Sequence, residues 1–88
     1  MEARQFQRIA KALADPKRYE ILSRIASARE LACSDMRCDI GVSPATVSHH
    51  IKELETAGLI EVRKDAKFLY MRLCRKVWKD YVAELAKL

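Results

Sequence analysis

The sequence predicts a mainly helical α+β domain, in which one short strand and one hairpin interrupt a series of helices. Apolar residues recur at helical spacing through most of the chain, but between residues 59 and 73 the pattern changes to that of two strands. Asp15-Pro16 and Ser43-Pro44 each place a helix-capping residue before a proline, which marks two helix starts. The 88 residues suffice for one small domain, and only two glycines and two prolines are available for linkers.

Two helices are predicted at the start of the chain, near residues 4–13 and 16–28. From Phe6 to Leu13, apolar residues fall at positions i, i+3, i+4 and i+7, which is one stripe of a helix. Asp15 is a suitable N-cap for the second helix. That helix has its own buried side of isoleucines and leucine. Both helices are therefore expected to pack one face against a common core.

A helix-turn-helix is predicted for about residues 34–57. The stretch 31–33 is short and apolar, which favours a brief strand. Ser34 can cap a short third helix, and Gly41 suits the left-handed turn that ends it. The fourth helix then begins after Ser43. A short helix, a glycine turn and a second helix form the pattern of the motif.

The remaining chain predicts a hairpin at about residues 59–73 and a last helix at 75–88. The hairpin turns around residues 64–67, which lack the glycine of a tight primed turn, so a looser tip is expected. A wide apolar band follows the last helix. Its members are Val77, Trp78, Tyr81, Val82, Leu85 and Leu88. The whole order of elements is that of a winged helix-turn-helix.

Composition narrows the classes of function. With 17 Lys and Arg against 12 Asp and Glu, the net charge is +5, which suits a nucleic-acid partner. The three cysteines are odd in number and form no CxxC pair, which argues against a secreted disulfide scaffold. No apolar run has the length of a signal or membrane segment, so a cytoplasmic protein is expected. The sequence has neither a glycine-rich phosphate loop nor a nucleophile–base pair, so an enzyme is not expected.

The adjacent His49 and His50 raise the question of a metal site in the fourth helix. With Val47 set at zero and 100° per residue, His49 lies at about 200° and His50 at about 300°. Val47, Ile51 and Leu54 define the buried face. Because the two rings diverge by about 100°, they are poorly placed to chelate one ion, unlike the i, i+4 histidines of HExxH. His49 is expected to face outward, and His50 to pack at the helix flank with a local hydrogen bond.

Two stretches of the chain resemble a known family. "KALADPKRYEILSRI" resembles its first two helices, and "SPATVSHHIKELETAGLIEVRKDAKFLYMRL" resembles its recognition helix and wing. The family is the ArsR/SmtB family of bacterial transcriptional repressors, and the resemblance covers roughly residues 5–74. It implies a homodimer, paired through about 4–13 and 75–88, that binds an inverted repeat in double-stranded DNA. It also implies association with the bacterial nucleoid and release of DNA by an inducer, which the sequence does not identify.

The dimer expectation has physical support in the last helix. Leaving Trp78, Tyr81 and Leu85 partly bare on a protomer would expose a sizeable apolar patch. A two-fold dimer covers that patch and spaces two recognition helices about one DNA turn apart, roughly 34 Å.

The fold and the resemblance together predict which side chains contact DNA. Short residues near a helix start allow close approach to bases, and lysines hold phosphates. The predicted contacts are Ser43, Ala45, Thr46, Ser48, His49 and Lys52 in the recognition helix, Lys64 and Lys67 at the wing tip, and Lys17 and Arg18 at the start of the second helix. For Lys17 and Arg18, phosphate contact and simple solvation remain equal alternatives. Arg63 adds charge to the wing, whereas Arg72 is open to pairing within the sheet.

The metal sites implied by the family are not expected here, and no cofactor is predicted. One such site is a CxC in the ELxxxD segment, where this chain has Ala32 and Ser34 in "ELACSDM". Another uses Asp and His pairs on the last helix, which here has Asp80 and Glu84 but no histidine. A zinc sensor is therefore disfavoured.

The cysteines leave a thiol or metalloid sensor open as an alternative. Cys33 is expected to be a small buried hydrophobe, and Cys38 to lie on an exposed side of a helix. Cys74 falls at the N-cap of the last helix beside several cations, which favours a thiolate, although an inert cap remains an alternative. A winged helix that binds only other proteins is a further alternative.

Overall fold

The computed structural model describes residues 1–37 and 39–88, without the side chain of Arg37. Within those residues the chain forms five helices and a three-stranded sheet, in the predicted order. They are α1 (Ala3–Leu13), α2 (Pro16–Ala26), β1 (Leu31–Ala32), α3 (Cys33–Arg37), α4 (Pro44–Thr56), β2 (Ile60–Asp65), β3 (Phe68–Leu73) and α5 (Arg75–Ala86). The mainly α winged helix-turn-helix is confirmed.

Side-chain caps start α2 and α4. The Asp15 carboxylate accepts a hydrogen bond from the backbone N–H of Arg18 at 3.0 Å, and Pro16 follows in the first turn. The Ser43 hydroxyl accepts from the backbone N–H of Thr46 at 3.2 Å in the same way. Each cap stabilises its helix by about 1 kcal/mol. Both predicted starts are confirmed.

The turn between α3 and α4 uses Gly41 as expected. Its φ of +77° lies in the left-handed region, where a side chain is strained. The preceding α3 begins at Cys33, so the predicted strand at 31–33 is one residue shorter and Ser34 is not the cap. Cys33 and Met36 are both buried, because their i, i+3 spacing puts them on one helix face.

The sheet is antiparallel, with β3 between β1 and β2. Leu31 pairs with Met71, and Val62 pairs with Met71 from the other side. The expectation of a loose wing tip was wrong. Asp65 pairs with Phe68, which leaves a two-residue connection. Ala66 makes this connection by adopting a φ of +53°, a conformation that costs a non-glycine residue roughly 1–2 kcal/mol.

The core lies between the helices and the sheet. Its fully buried members include residues from five elements and the loop after α4: Ile9, Ile21, Ile25, Met36, Leu54, Leu59 and Met71. Tyr81 adds α5 to this core, with its ring 5.1 Å from that of Phe6 and 6.0 Å from that of Trp78. The expectation that Tyr81 is partly bare was therefore wrong, because α1 covers it within the protomer.

The outer side of α5 remains uncovered. Val82 is 43% exposed and Leu85 is 42% exposed, one turn apart, and Met1 adds a third apolar side chain that is exposed. None of the helices in the described part of the chain is both long and apolar enough to cross a membrane.

Candidate nucleic-acid interface

Helix α4 separates a buried face from an exposed one. Val47, Ile51 and Leu54 are 1%, 6% and 0% exposed, so the predicted inner face is confirmed. Helix α2 packs closely against α4 and thereby fixes the direction of its outer face. A molecule that approaches α4 from solvent therefore contacts the side chains of its outer face.

The outer face carries the residues predicted to contact DNA. Ala45, Ser48, His49 and Lys52 are all exposed, and Thr46 is half-buried. The Ser43 hydroxyl is occupied by its cap and by a 2.9 Å hydrogen bond with the Thr46 hydroxyl. Ser43 and Thr46 therefore stabilise the helix start in the free protein, and the other four side chains form the accessible row. DNA contact by all six remains a prediction.

His50 is a structural residue at the junction of two helices. It is 5% exposed, and its Nδ1 accepts a hydrogen bond from the Arg18 Nε–H at 3.2 Å. Its Nε2 lies 4.0 Å from the Asp15 carboxylate. Packing at the helix flank is confirmed, but the hydrogen-bond partner comes from α2 and not from the neighbouring turn of α4.

The environment of His50 favours its neutral form. Burial lowers the pKa of His50 below its ordinary 6.5, and the Arg18 and His49 charges act in the same direction. The Asp15 carboxylate acts in the opposite direction but does not prevail. Protonation at Nδ1 would also remove the acceptor that the Arg18 N–H uses. The hydrogen bond from the backbone of Arg18 lowers the pKa of Asp15, so this carboxylate stays charged.

The histidine pair does not form a chelating site. The two ring centroids are 5.9 Å apart, with one ring exposed and the other buried. Among residues 1–37 and 39–88, no three His, Cys, Asp or Glu side chains are grouped so that they could hold a metal ion.

Lys17 and Arg18 have partners that sequence reasoning missed. The Lys17 ammonium donates to the backbone carbonyl of Ile40 at 2.9 Å, and Arg18 holds His50. Both side chains tie the start of α2 to the helix-turn-helix. Neither contact has a local sequence signal, because the partners are 23 and 32 residues away. Phosphate contact by these two residues stays a prediction.

The wing divides its cations into paired and unpaired ones. Arg63 forms a 2.8 Å ion pair with Glu30 and lies 4.5 Å from the centre of the Tyr70 ring. Arg72 forms a 2.8 Å pair with Glu61 across the sheet, which confirms the structural alternative for Arg72. These bonds lower the pKa of Glu30 and raise the pKa of both arginines.

The tip of the wing carries the free charges. Lys64 and Lys67 are exposed, and neither has an ion-pair partner in the part of the chain that the structure describes. The connection between the strands consists of Ala66 and Lys67, so Lys67 lies within the turn and Lys64 lies close beside it, at the end of a short hairpin. The positions suit contact with a phosphate backbone.

The two cysteines that the structure describes, Cys33 and Cys74, are not grouped into one site. Cys33 is buried in the core, and Cys74 is half-buried at the N-cap of α5, where its side chain makes no capping hydrogen bond. Ala32, the neighbour of Cys33, pairs with Tyr70. Cys74 lies four residues beyond Tyr70, which corresponds to roughly 13 Å at the spacing of a strand. The predicted roles of Cys38 lie outside the described residues.

Comparison with known proteins gives the same architecture. A family profile for a helix-turn-helix domain matches residues 13–63. The arsenical resistance operon repressor of Staphylococcus aureus is 32% identical over 85 residues, covering 97% of this chain and 81% of that protein. The cadmium resistance transcriptional regulatory protein of Listeria innocua is 35% identical over 60 residues, covering 68% of this chain. The chain spans about half the length of some relatives: 50% of the Listeria protein and 53% of one from Halobacterium salinarum.

A solved structure agrees in fold. The homodimeric winged helix-turn-helix DNA-binding domain from Mycobacterium bovis, determined in solution, has a TM-score of 0.76 and 28% identity to this chain. The match covers 93% of this chain and 76% of that domain. The similarity extends over α1 to α5, and so includes the elements that carry the outer face of α4 and the wing.

Proposed function

The chain belongs to the ArsR family of helix-turn-helix transcriptional regulators, and from this premise we propose that it is a cytoplasmic repressor that binds an inverted-repeat DNA operator as a homodimer. The S. aureus relative is named as a repressor, and the M. bovis domain is described as homodimeric and DNA-binding. No small molecule or metal is part of this proposal.

One observation carries the proposal, namely the division of α4 into an apolar inner face and a polar outer row. Ala45 is small enough to let the helix approach base edges and thymine methyl groups closely. Ser48 and His49 can hydrogen-bond base edges, and Lys52 can hold a phosphate. The Lys52 side chain is 74% exposed and its ammonium lies 3.9 Å from the Glu55 carboxylate, so a phosphate can replace this weak, exposed partner.

The wing supports the same orientation on DNA. Its arginines are engaged with Glu30 and Glu61, so they are not the free charges of the hairpin. Lys64 and Lys67 project from the tip and would contact the backbone beside the groove that α4 occupies.

The outer side of α5 supports the dimer. Val82 and Leu85 remain more than two-fifths exposed although α1 packs against the same helix. A second copy that covers them would bury an apolar surface and set two α4 helices about one DNA turn, roughly 34 Å, apart.

The proposal is tested by selecting bound duplexes from random sequence and measuring the affinity for the selected DNA at several salt concentrations. A repressor of this kind enriches an inverted repeat and loses affinity steeply with salt, with a slope of about −0.9 per phosphate contacted. Failure to enrich any sequence, with weak salt dependence, would instead favour a module that binds only proteins.

A second candidate function is redox control of this repressor through Cys74. The specific observation is that the Cys74 thiol is partly exposed and free of a capping hydrogen bond, whereas Cys33 is 5% exposed. Peroxide or polysulfide should release DNA from the native protein and from Cys33→Ala, but not from Cys74→Ser. Equal release from the Cys74→Ser protein would eliminate this candidate.

A further inference from the structure

The exposed side of α1 carries three cations in a row. Arg4, Arg8 and Lys11 recur at i, i+4 and i+7, so they lie on one face of the helix. All three are exposed, and α1 contains no acidic residue. None of the three has an ion-pair or side-chain hydrogen-bond partner within residues 1–37 and 39–88. We refer to these three side chains as the α1 basic row.

The α1 basic row lies beside α4. Together with Gln7 and Glu53 it lines an open cavity of about 320 Å³. A second cavity, also about 320 Å³, brings Arg4 and Arg8 next to Thr56. Gln5 donates a hydrogen bond to the carbonyl of Ala57 at 3.3 Å, which attaches α1 to the end of α4.

This position continues the proposed DNA-facing surface. His49, Glu53 and Thr56 are spaced i, i+4 and i+7, so the edge of α4 that borders the α1 basic row also carries His49. From Arg4 to Lys11 the row spans about 10 Å along the helix axis. Measured along the duplex axis, one DNA strand presents about three phosphates over that length, one every 3.4 Å or so.

We propose that the α1 basic row binds the phosphate backbone of the DNA that α4 contacts, as a second and sequence-independent anchor. The inference rests on the proposed DNA-binding function and extends it to a helix otherwise assigned to the dimer. Three unpaired cations without an intervening acid on their own helix suit a polyanion. Their position along the His49 edge of α4 selects DNA over an acidic protein as that polyanion.

Glu53 has a defined part in this arrangement. Among the described residues that line the two cavities with the row, two are acidic: Glu53, which lies on α4, and Glu2, at the start of the chain. A carboxylate beside bound phosphates repels them. Its removal should therefore strengthen the binding that removal of the cations weakens.

The test compares the native protein with Arg4→Gln/Arg8→Gln/Lys11→Gln on the selected duplex and on unrelated DNA. The matched control, Lys76→Gln/Lys79→Gln/Lys87→Gln, removes the same charge from α5 and its C-cap residue. We expect the salt slope of the α1 triple variant to fall by up to about 0.9 for each of three phosphates per protomer. Its affinity should fall at least tenfold on both DNAs, with the same sequence preference, while the control changes little.

The outcomes separate the inference from the function it rests on. If the native protein enriches no sequence, the proposed function fails. If the native protein binds specifically but the α1 triple variant keeps its salt slope, or loses no more affinity than the α5 control, the α1 basic row is not a DNA anchor. Glu53→Gln supplies an independent check that does not depend on the stability of the triple variant. It should bind two- to threefold more tightly, by about the strength of one screened charge pair, and unchanged or weaker binding would overturn the inference.

Discussion

The two ends of the protomer differ in how many of their side chains find a partner, or are buried, within the chain. At the helix-turn-helix end, Lys17, Arg18 and His50 all find partners inside the chain. At the α5 end, Val82 and Leu85 remain largely exposed. Under the proposed function, the end that would contact DNA is complete in one protomer, whereas the α5 end would be completed by a second copy. Substitutions at both ends of the protomer test this difference.

The largest effect is expected from a charge on the exposed side of α5. Leu85→Glu should convert the dimer to a monomer, because a carboxylate would be buried in an apolar contact. Losing the second half-site contact should weaken operator binding at least a hundredfold. Sedimentation and DNA titration measure the two effects. Ala83→Glu adds the same charge about 160° away around the helix and should leave both unchanged; a dimeric Leu85→Glu protein would contradict the interface.

A smaller effect is expected at the outer row of α4. His49→Ala should reduce discrimination at one base pair of each half-site by about 1–3 kcal/mol. Folding should be unaffected, because the ring is exposed. The matched variant Lys52→Gln should weaken binding to all sequences about equally, since the contact proposed for Lys52 is to phosphate. Competition binding with single-base operator variants distinguishes them, and an unchanged base profile for His49→Ala would remove His49 from the readout.

The internal ties of the helix-turn-helix end should be visible in stability. Lys17→Met removes the hydrogen bond to the carbonyl of Ile40 and should lower the free energy of unfolding by about 1 kcal/mol. Lys64→Met, at an exposed position with no ion-pair partner among the described residues, should have no such effect. Urea denaturation of both variants tests this contrast, which is lost if the two curves coincide.

The smallest effect is expected from pH. Because burial lowers the pKa of His50 in the folded protein, the unfolded chain binds a proton first as pH falls below 6.5. The contribution of His50 to stability is therefore fully present above pH 6.5 and declines below it. Urea denaturation between pH 7.5 and 5.5 should show this decline in the native protein and less of it in His50→Gln. Equal slopes in the native protein and in His50→Gln would contradict the role of burial.

The same contrast explains what the sequence could and could not predict. Local signals were sufficient for the Asp15 and Ser43 caps and for the turn at Gly41, because each acts on its own few residues. The outer position of His49 followed from helical periodicity alone. These features define most of the recognition helix.

Features that depend on distant parts of the chain were not predictable in this way. The partner of His50 is on α2, and that of Arg63 is Glu30, 33 residues earlier. Tyr81 is buried because Phe6 of α1 packs against its ring. Its position on α5, one turn before the exposed Leu85, does not reveal this burial. The tight wing tip depends on strand pairing that carries Ala66 into an unfavourable φ.

The central claim is that two protomers place their α4 helices on one face of the DNA. It is tested most directly by titrating the protein against the selected inverted repeat and against the same duplex with about five base pairs inserted between the half-sites, half of a helical turn. Two protomers should bind each intact repeat, and the insertion should lower the affinity at least a hundredfold. Equal affinity for both duplexes, or binding of one protomer per repeat, would contradict it.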